Sequence, residues 1–411
     1  MEKGMKVLLS LAAILCAGVI ITTGLADINV QSPTSDSKSS KRQSVQSEKG
    51  SEMDTEAVEL EKVELRNYEN TIQPDTSSGT FLQSKLVEHD GKLYYSFGNT
   101  CVIEMDLDGS NKREVTGGID DKTDYLLVTD QYIYVRCDDY NIKQYTFDGE
   151  FVGTIGQVLN WGVVCDWYFH DGCLYFQGMN NDDEWYRGLF RIHTGDGDYP
   201  ECVTENCCNY DAQIYFYEDT IYFFDRDMNY CSIKENGSGE TILRECEGEL
   251  LDSYTFEGAE TAVLLNGAYA GNWLYYCKKD EKTYSKLNLE TMEEESTSWK
   301  SLDKGKIGTL IGEDTISYRT IEDKGNYIKG YQISTDKENT LKEYITKLPS
   351  GLMEAQNCQL FRVPGATRIY YTVEIEGTLE AYSVSADGRE EEKLDALAED
   401  VPAYIPEAWY Q

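Results

Sequence analysis

Three histidines, His89, His170 and His193, and 74 Asp and Glu side chains are the groups with which this chain could do acid–base chemistry. Cleaving a glycosidic bond needs two carboxylates roughly 5–10 Å apart, one on either side of it. A composition this acidic supplies such pairs by accident, so the abundance reads as a solvated acidic surface rather than as a dyad. His89 and His170 each precede Asp-Gly (His89-Asp90-Gly91 and His170-Asp171-Gly172), and equivalent places in a repeat assign them to turns. The chain carries no GxSxG elbow, no GxxxxGKS/T loop, no GxGxxG after a strand, no HExxH pair and no SxDxGxTW sialidase repeat. Nucleotide-dependent, zinc-hydrolase and sialidase chemistry therefore have no motif to stand on, and no catalytic residue is assigned.

Hard oxygen ligands for calcium occur at Asp120-Asp121 with Asp124, at Asp138-Asp139, and at Asn180-Asn181-Asp182-Asp183-Glu184. None follows the DxDxDG…E loop, so they read as exposed polar turns, and no cofactor or metal is expected. The twelve Cys include no CxxC pair, which leaves a zinc site of that type without support. Cys202, Cys207 and Cys208 cluster, and Cys231 and Cys246 could face each other across a hairpin. Most Cys read as small buried apolar residues.

The elements that would position any site are strands. Tyr is over-represented, at 31 residues, alongside 12 Phe and 6 Trp, and aromatic side chains suit a pleated, half-buried surface. Seven aromatic segments recur: KLYYSF (92–97), YIYVRC (132–137), CLYFQG (173–178), TIYFFD (220–225), WLYYCK (273–278), TISYRT (315–320) and RIYYTV (368–373). Their equivalent positions, Tyr94, Tyr134, Tyr175, Tyr222, Tyr275, Ser317 and Tyr370, fall 40 to 53 residues apart. That period fits one four-stranded blade per repeat, so the fold expected is an all-β propeller of seven blades, at roughly 80–118, 124–157, 164–206, 211–247, 262–300, 307–347 and 358–398.

Within a repeat the pattern reads inner strand, tight turn, aromatic strand, turn, alternating strand, turn, outer strand. In the first blade these are LVEHD, Asp90-Gly91, KLYYSF, CVIEMDL, Asp108-Gly109 and KREVT. Asp-Gly suits such turns because both residues tolerate positive φ. No stretch of the repeats keeps a helical period. The leftover pieces, 64–79 and VPAYIPEAWYQ (401–411), could each add a strand that latches the ring, since closure removes exposed sheet edges.

The combination of YYSF with IEMDLDGSNKREVTG, recurring in looser form, resembles the YWTD propellers of the low-density-lipoprotein-receptor class. It is still more similar to a bacterial family of exported propellers of unknown function, with YY-type strands and DLDGS-type turns. NYENTIQPDTSSGTFLQSK (67–85) is similar to the lead-in of that family. The resemblance spans residues 64–400 and implies an architecture and an extracellular address, not a chemistry.

The address has its own signal. Lys3 and Lys6 precede a mostly apolar run from Val7 to Ala26, and a basic end before such a run directs a chain to a membrane. Its length fits a spanning anchor, while Gly24 and Ala26 would suit a cleavage site; either way the remainder is exported. Residues 27–63 are dominated by Ser, Lys, Glu, Asp, Gln and Thr and read as a disordered stalk, with room for a short helix around 52–65. The formal charge of −37 excludes a nucleic-acid-coating protein, which needs a basic footprint.

The function expected is non-catalytic recognition of a carbohydrate, peptide or surface protein by a monomeric, exported propeller. The alternatives are a carbohydrate-active hydrolase or lyase using channel-lining Asp and Glu, and a structural spacer. Second-to-third-strand turns gather around the channel of a propeller, and loop variation there carries specificity. The turn in blade 3, Met179–Gly188, offers Asn181, Asp183, Trp185 and Tyr186 as ligand-binding residues: the aromatics could stack on a sugar or clamp a peptide, and the polar pair could hydrogen-bond it.

Overall fold

The computed structural model describes residues 58–402, apart from the segments 64–67, 120–122, 138–140, 157–166, 181–185, 208–213, 247–248, 251–255, 258–267, 279–280, 301–307, 323–324, 348–352, 356–357, 364 and 376. The N-terminal apolar run and the stalk up to residue 57 lie outside the described residues. The chain divides into Met1–Asp54 and Thr55–Gln411, and every described residue belongs to the second unit.

Seven antiparallel blades of four strands, each built from one contiguous stretch of chain, follow one another around a β-propeller, and the sheets of blades 2, 3 and 6 gain further strands at their edges. The aromatic segments are the second strands: Lys92–Tyr95, Ile133–Cys137, Cys173–Asn180, Thr220–Phe224, Trp273–Tyr276, Thr315–Glu322 and Arg368–Ile375. Their double aromatics follow from the pleat, because neighbouring residues in a strand point to opposite faces. The first of each pair packs toward the next blade and the second toward the preceding one. Tyr94 lies in the cluster between blades 1 and 2, and Tyr95 in the cluster shared with blade 7. Tyr175 and Phe176 likewise split between blades 3–4 and 2–3, and Tyr275 and Tyr276 between blades 5–6 and 4–5. A YY dipeptide is thus one wedge between two pairs of blades.

The Asp-Gly turns take the conformation that their residues permit. Asp90 and Gly91, and Asp171 and Gly172, all have positive φ, the mirror-image turn whose twist matches paired strands. The last outer strand stops at Lys393 and Asp395–Ala398 make a single helical turn, α1, in which Ala396, Leu397 and Ala398 are good helix formers and Asp395 suits the first turn. It is the one helix among the described residues.

The ring closes by side chains. The Tyr370 hydroxyl of blade 7 donates to Glu88 Oε2 on the inner strand of blade 1 at 2.6 Å, and the Thr367 N–H donates to Glu88 Oε1 at 3.0 Å. Ser84 Oγ donates to the Arg362 carbonyl at 2.8 Å. Beyond α1, Asp400 accepts from the Tyr95 hydroxyl and from Lys112 Nζ, both at 2.8 Å, fastening the end of blade 7 to blade 1. Residues 403–411, expected as one possible latching strand, lie outside the described residues.

The segment before blade 1 does latch, but onto other blades. Strand β1 (Glu61–Lys62), in the stretch read as the end of the disordered stalk with room for a short helix, instead pairs with the outer strand of blade 3, because that sheet edge stands open to it. Strand β2 (Glu69–Asn70) pairs with the outer strand of blade 2. The chain then crosses the face carrying the first-to-second and third-to-fourth turns and enters the channel as β3 (Thr80–Leu82). There it pairs with the inner strand of blade 3, Trp167–His170. Thr80–Leu82, expected to open blade 1, therefore belong to the sheet of blade 3. Three sheet edges that would otherwise invite pairing with another chain are covered in this way.

The buried carboxylate of Asp75, 2% exposed, pins this strap. It accepts from the Thr129 hydroxyl (2.7 Å), the Tyr134 hydroxyl (3.0 Å) and the Ser77 N–H (2.9 Å). Beside it, the Gln144 amide accepts from the Gln73 N–H and donates to the Gln73 carbonyl, as a neighbouring strand would.

Candidate functional site: the central channel

The inner strands of blades 1 to 6, β3, and Arg362 and Gly365 after the inner strand of blade 7 line a cavity of about 440 Å³, within the size range of small-ligand sites. Phe81 and Leu82 form its strap side. Tyr215, Phe216, Tyr269 and Leu310, from blades 4 to 6, line it together with Val87 and Val128. Tyr215 and Tyr269 stack with ring centroids 4.2 Å apart and planes within 10°. The Tyr215 hydroxyl donates to the Gly271 carbonyl, which holds the stack in place. Burial pushes the Tyr215 phenol up to about 12, so at neutral pH it is a hydrogen-bonding group and not a charge. Among the described lining residues the carboxylate is that of Glu88, already taken up by Tyr370 and Thr367.

The two turn histidines end inner strands, as the repeat places them. His89 lines the cavity. It stacks on Phe147 (6.2 Å, 8°) and meets the edge of Phe81, with Asp130 Oδ1 3.6 Å from Nε2. Burial lowers its pKa, against the opposing pull of Asp130 and Asp90. His170 stacks on Phe216 at 4.7 Å, and its ring nitrogens meet the Thr80 hydroxyl (2.7 Å) and Glu235 Oε1 (2.9 Å). It orients β3 against blade 3.

His193 makes a different constellation. Its Nδ1 lies 3.1 Å from Cys173 Sγ, and its Nε2 lies 3.5 Å from Glu201 Oε2, the order of a nucleophile, a base and an orienting acid. Burial, however, pushes the Cys173 thiol up to about 12, whereas a nucleophilic thiolate needs the opposite shift. Cys173 and His193 are cross-strand partners, and the arrangement serves pairing.

Of the ligand residues expected from sequence, Asn181, Asp183 and Trp185 lie outside the described residues. Tyr186 opens the third strand of blade 3, opposite Asn180. The calcium candidates Asp120-Asp121, Asp138-Asp139 and 181–184 also lie outside, and Asp124 sits in the inner strand of blade 2. Among the described residues no three His, Cys, Asp or Glu converge as a metal site. Cys231 and Cys246 do not face each other. A register shift in that hairpin places Cys231 opposite Ile242, and the outer strand ends at Arg244, before Cys246. Cys207 is buried beside Gln177, and Cys208 lies outside the described residues.

Sequence reading missed the channel residues Phe81, Tyr215, Phe216, Tyr269 and Leu310. For Tyr215, Phe216, Tyr269 and Leu310 the one signal was position, just before an aromatic strand at the inner-strand place of the repeat; Phe81, in the strap, carried none.

No known family matches the chain, and no curated protein matches it. Among solved structures it is similar to an oligogalacturonate lyase in complex with manganese, at a TM-score of 0.50 and 12% identity, over 80% of this chain and 98% of that one. It is also similar to a puromycin-hydrolyzing peptidase of Mycobacterium tuberculosis, at 0.48 and 9% identity, over 80% of this chain and 56% of that one. This chain thus spans little more than half of that peptidase. A third similarity is to BamB from Moraxella catarrhalis, at 0.36 and 10% identity, over 76% and 95%. At such identity the likeness to the lyase speaks for the fold alone. The class is the β-propeller. Among the described residues no helix is long and apolar enough to cross a membrane, and the run from Val7 to Ala26 lies outside them.

Proposed function

We propose that this chain is an exported propeller that recognises a carbohydrate, peptide or neighbouring protein in its central channel and leaves it chemically unchanged. The observation that carries this reading is the channel lining. Aromatic and aliphatic side chains from β3 and blades 1 to 6 line a cavity of ligand size, with His89 and Arg362 beside them, and the one described carboxylate on it is committed to closing the ring. A glycosidase-type mechanism needs two carboxylates facing one bond, while stacked, hydrogen-bonded tyrosines suit sugar rings and peptide planes. The residues Asn181, Asp183, Trp185 and Tyr186 belong to this proposal as outer contacts.

In the same reading the apolar segment 7–26 takes the chain to or through a membrane, and the polar stalk that precedes β1 holds a monomeric propeller away from it. The resemblance to bacterial exported propellers and to YWTD propellers supports this address.

The test incubates the full chain with cell-wall fragments, glycans and peptides and follows both retained and altered species by mass spectrometry. Retention without a new product is expected, reduced by Tyr269→Ala and by Leu310→Asp. A new product, or retention indifferent to both substitutions, overturns the proposal.

A further inference from the structure

The inner strand of each blade turns one edge to the channel, and the strap takes up that edge in two blades. Backbone bonding alternates along an antiparallel pair, so every second residue of an inner strand points its N–H and C=O away from its own blade. In blade 2 Leu126 exchanges both bonds with Ser84, at 2.9 Å each. In blade 3 Phe169 lies opposite Phe81 of β3. In blades 4, 5 and 6 the inner strands Tyr215–Tyr217, Ala268–Ala270 and Thr309–Ile311 end their sheets, and no described strand pairs with them from the channel side.

The registers say which groups these strands present. Tyr217 and Thr220 flank the two-residue turn Glu218-Asp219, and Ala270 and Trp273 flank Gly271-Asn272, so each pair bonds across its turn. One residue earlier, Phe216 and Tyr269 therefore aim their N–H and C=O at the channel. Leu310 holds the matching place in blade 6, just before Ile311 and its partner Thr315. All three residues line the cavity. Among the described residues no other backbone group bonds theirs from the channel side. The Phe216 ring is buried against His170, so its backbone is what it offers.

Each strand thus supplies one donor and one acceptor at the same level around the channel, not a row along one strand. An extended peptide bonds along a row; here it would meet one pair and leave the others unmade, which is costly for buried backbone groups. A sugar matches the arrangement, because its hydroxyls radiate from a ring and each both donates and accepts. Its C–H faces suit Phe81, Leu82 and Tyr215 on the same cavity. The described lining carries one carboxylate, Glu88, and one guanidinium, Arg362, and the two balance in favour of a neutral ligand.

We infer that the channel binds a neutral mono- or disaccharide, whose hydroxyls bond the backbone N–H and C=O groups of Phe216, Tyr269 and Leu310. The inference rests on the recognition role proposed above and selects the carbohydrate among its ligands.

The probe is a panel of neutral mono- and disaccharides titrated against the full chain, followed by the single-deoxy analogues of any that binds. A parallel arm uses capped peptides alternating apolar and polar residues. A sugar of the panel is expected to bind and to slow amide exchange at Phe216, Tyr269 and Leu310. The Tyr215 and Tyr217 amides, already bonded within the blade, should stay as they were. Removing one bonded hydroxyl should weaken binding about threefold to tenfold. Sugar binding that protects none of the three amides, or that tolerates every single deoxygenation, overturns the inference, as does a panel from which no sugar binds. If peptides are then retained in the channel, the recognition role stands without the sugar; if neither set is retained, both fall. A sugar that is bound and cleaved keeps the ligand and overturns the recognition role.

Discussion

The Tyr370 hydroxyl reaches Glu88 across 282 residues of sequence and donates to its carboxylate at 2.6 Å. The bond joins the second strand of the last blade to the inner strand of the first, so it is present only when the ring is closed. Glu88 also meets the Thr367 N–H, which makes this carboxylate the point where the two ends of the propeller meet. Replacing Tyr370 with Phe keeps the buried ring and deletes the donor. The expected loss is roughly 1.5–3 kcal/mol, the range for a hydrogen bond to a charged group. It should appear as a lower urea midpoint at unchanged slope, and an unchanged midpoint would show that apolar packing alone closes the ring.

Asp75 should control the strap and leave the blades intact. Asp75→Ala strands the Tyr134 hydroxyl and the Ser77 N–H, each a buried donor worth about 1–3 kcal/mol when left unpaired, and leaves the Thr129 hydroxyl only the Tyr132 carbonyl. The expected outcome is fast amide exchange and early proteolysis over residues 58–84, with strand content by circular dichroism retained. Uniform loosening of all seven blades would contradict this and make the strap integral to the core.

Gly149, in the third-to-fourth turn of blade 2, has φ +85°, and a Cβ there would lie 1.8 Å from the Val115 carbonyl oxygen of blade 1. Both a left-handed backbone and a backbone contact therefore oppose any larger residue. Gly149→Ala should cost about 1–3 kcal/mol through overpacking, with the left-handed strain adding to it. The measurement is thermal unfolding, and the equivalent substitution at Gly98, which has no neighbour in that space, should cost less.

Alkali should unfold the protein before its buried phenols titrate in the native state. Burial raises Tyr275 to about 12, and Tyr134, Tyr318 and Tyr370 shift upward as well, helped by neighbouring carboxylates. An unfolded Tyr titrates near 10. Below that pH both states hold the proton and stability is flat. Above it the unfolded chain binds fewer protons than the native one, so stability falls as pH rises through about 10 to 12. Unfolding midpoints measured from pH 7 to 12 should hold to about pH 9 and then drop, with phenolate absorbance appearing together with unfolding. The full complement of phenolate appearing near pH 10 with the protein still folded would refute it.

Much of this architecture is legible in the sequence because the information is local and repeated. Tyr94-Tyr95 and its equivalents mark the second strand of each blade, since a pleated strand wedged between two blades needs bulk on both faces. Asp90-Gly91 and Asp171-Gly172 mark turns, since both residues accept positive φ. What the sequence concealed is non-local. β1, β2 and β3 are two or three residues long, too short for any periodicity, and they are strands only because sheet edges stand ready for them. Cys231 and Cys246 are placed suitably along the chain and are kept apart by a register shift. The channel wall gathers Phe81, Tyr215, Phe216, Tyr269 and Leu310 from separate repeats. Repetition alone determined the blades; closing them into a ring decided which residues share the channel, because only closure brings the inner strands of distant repeats face to face.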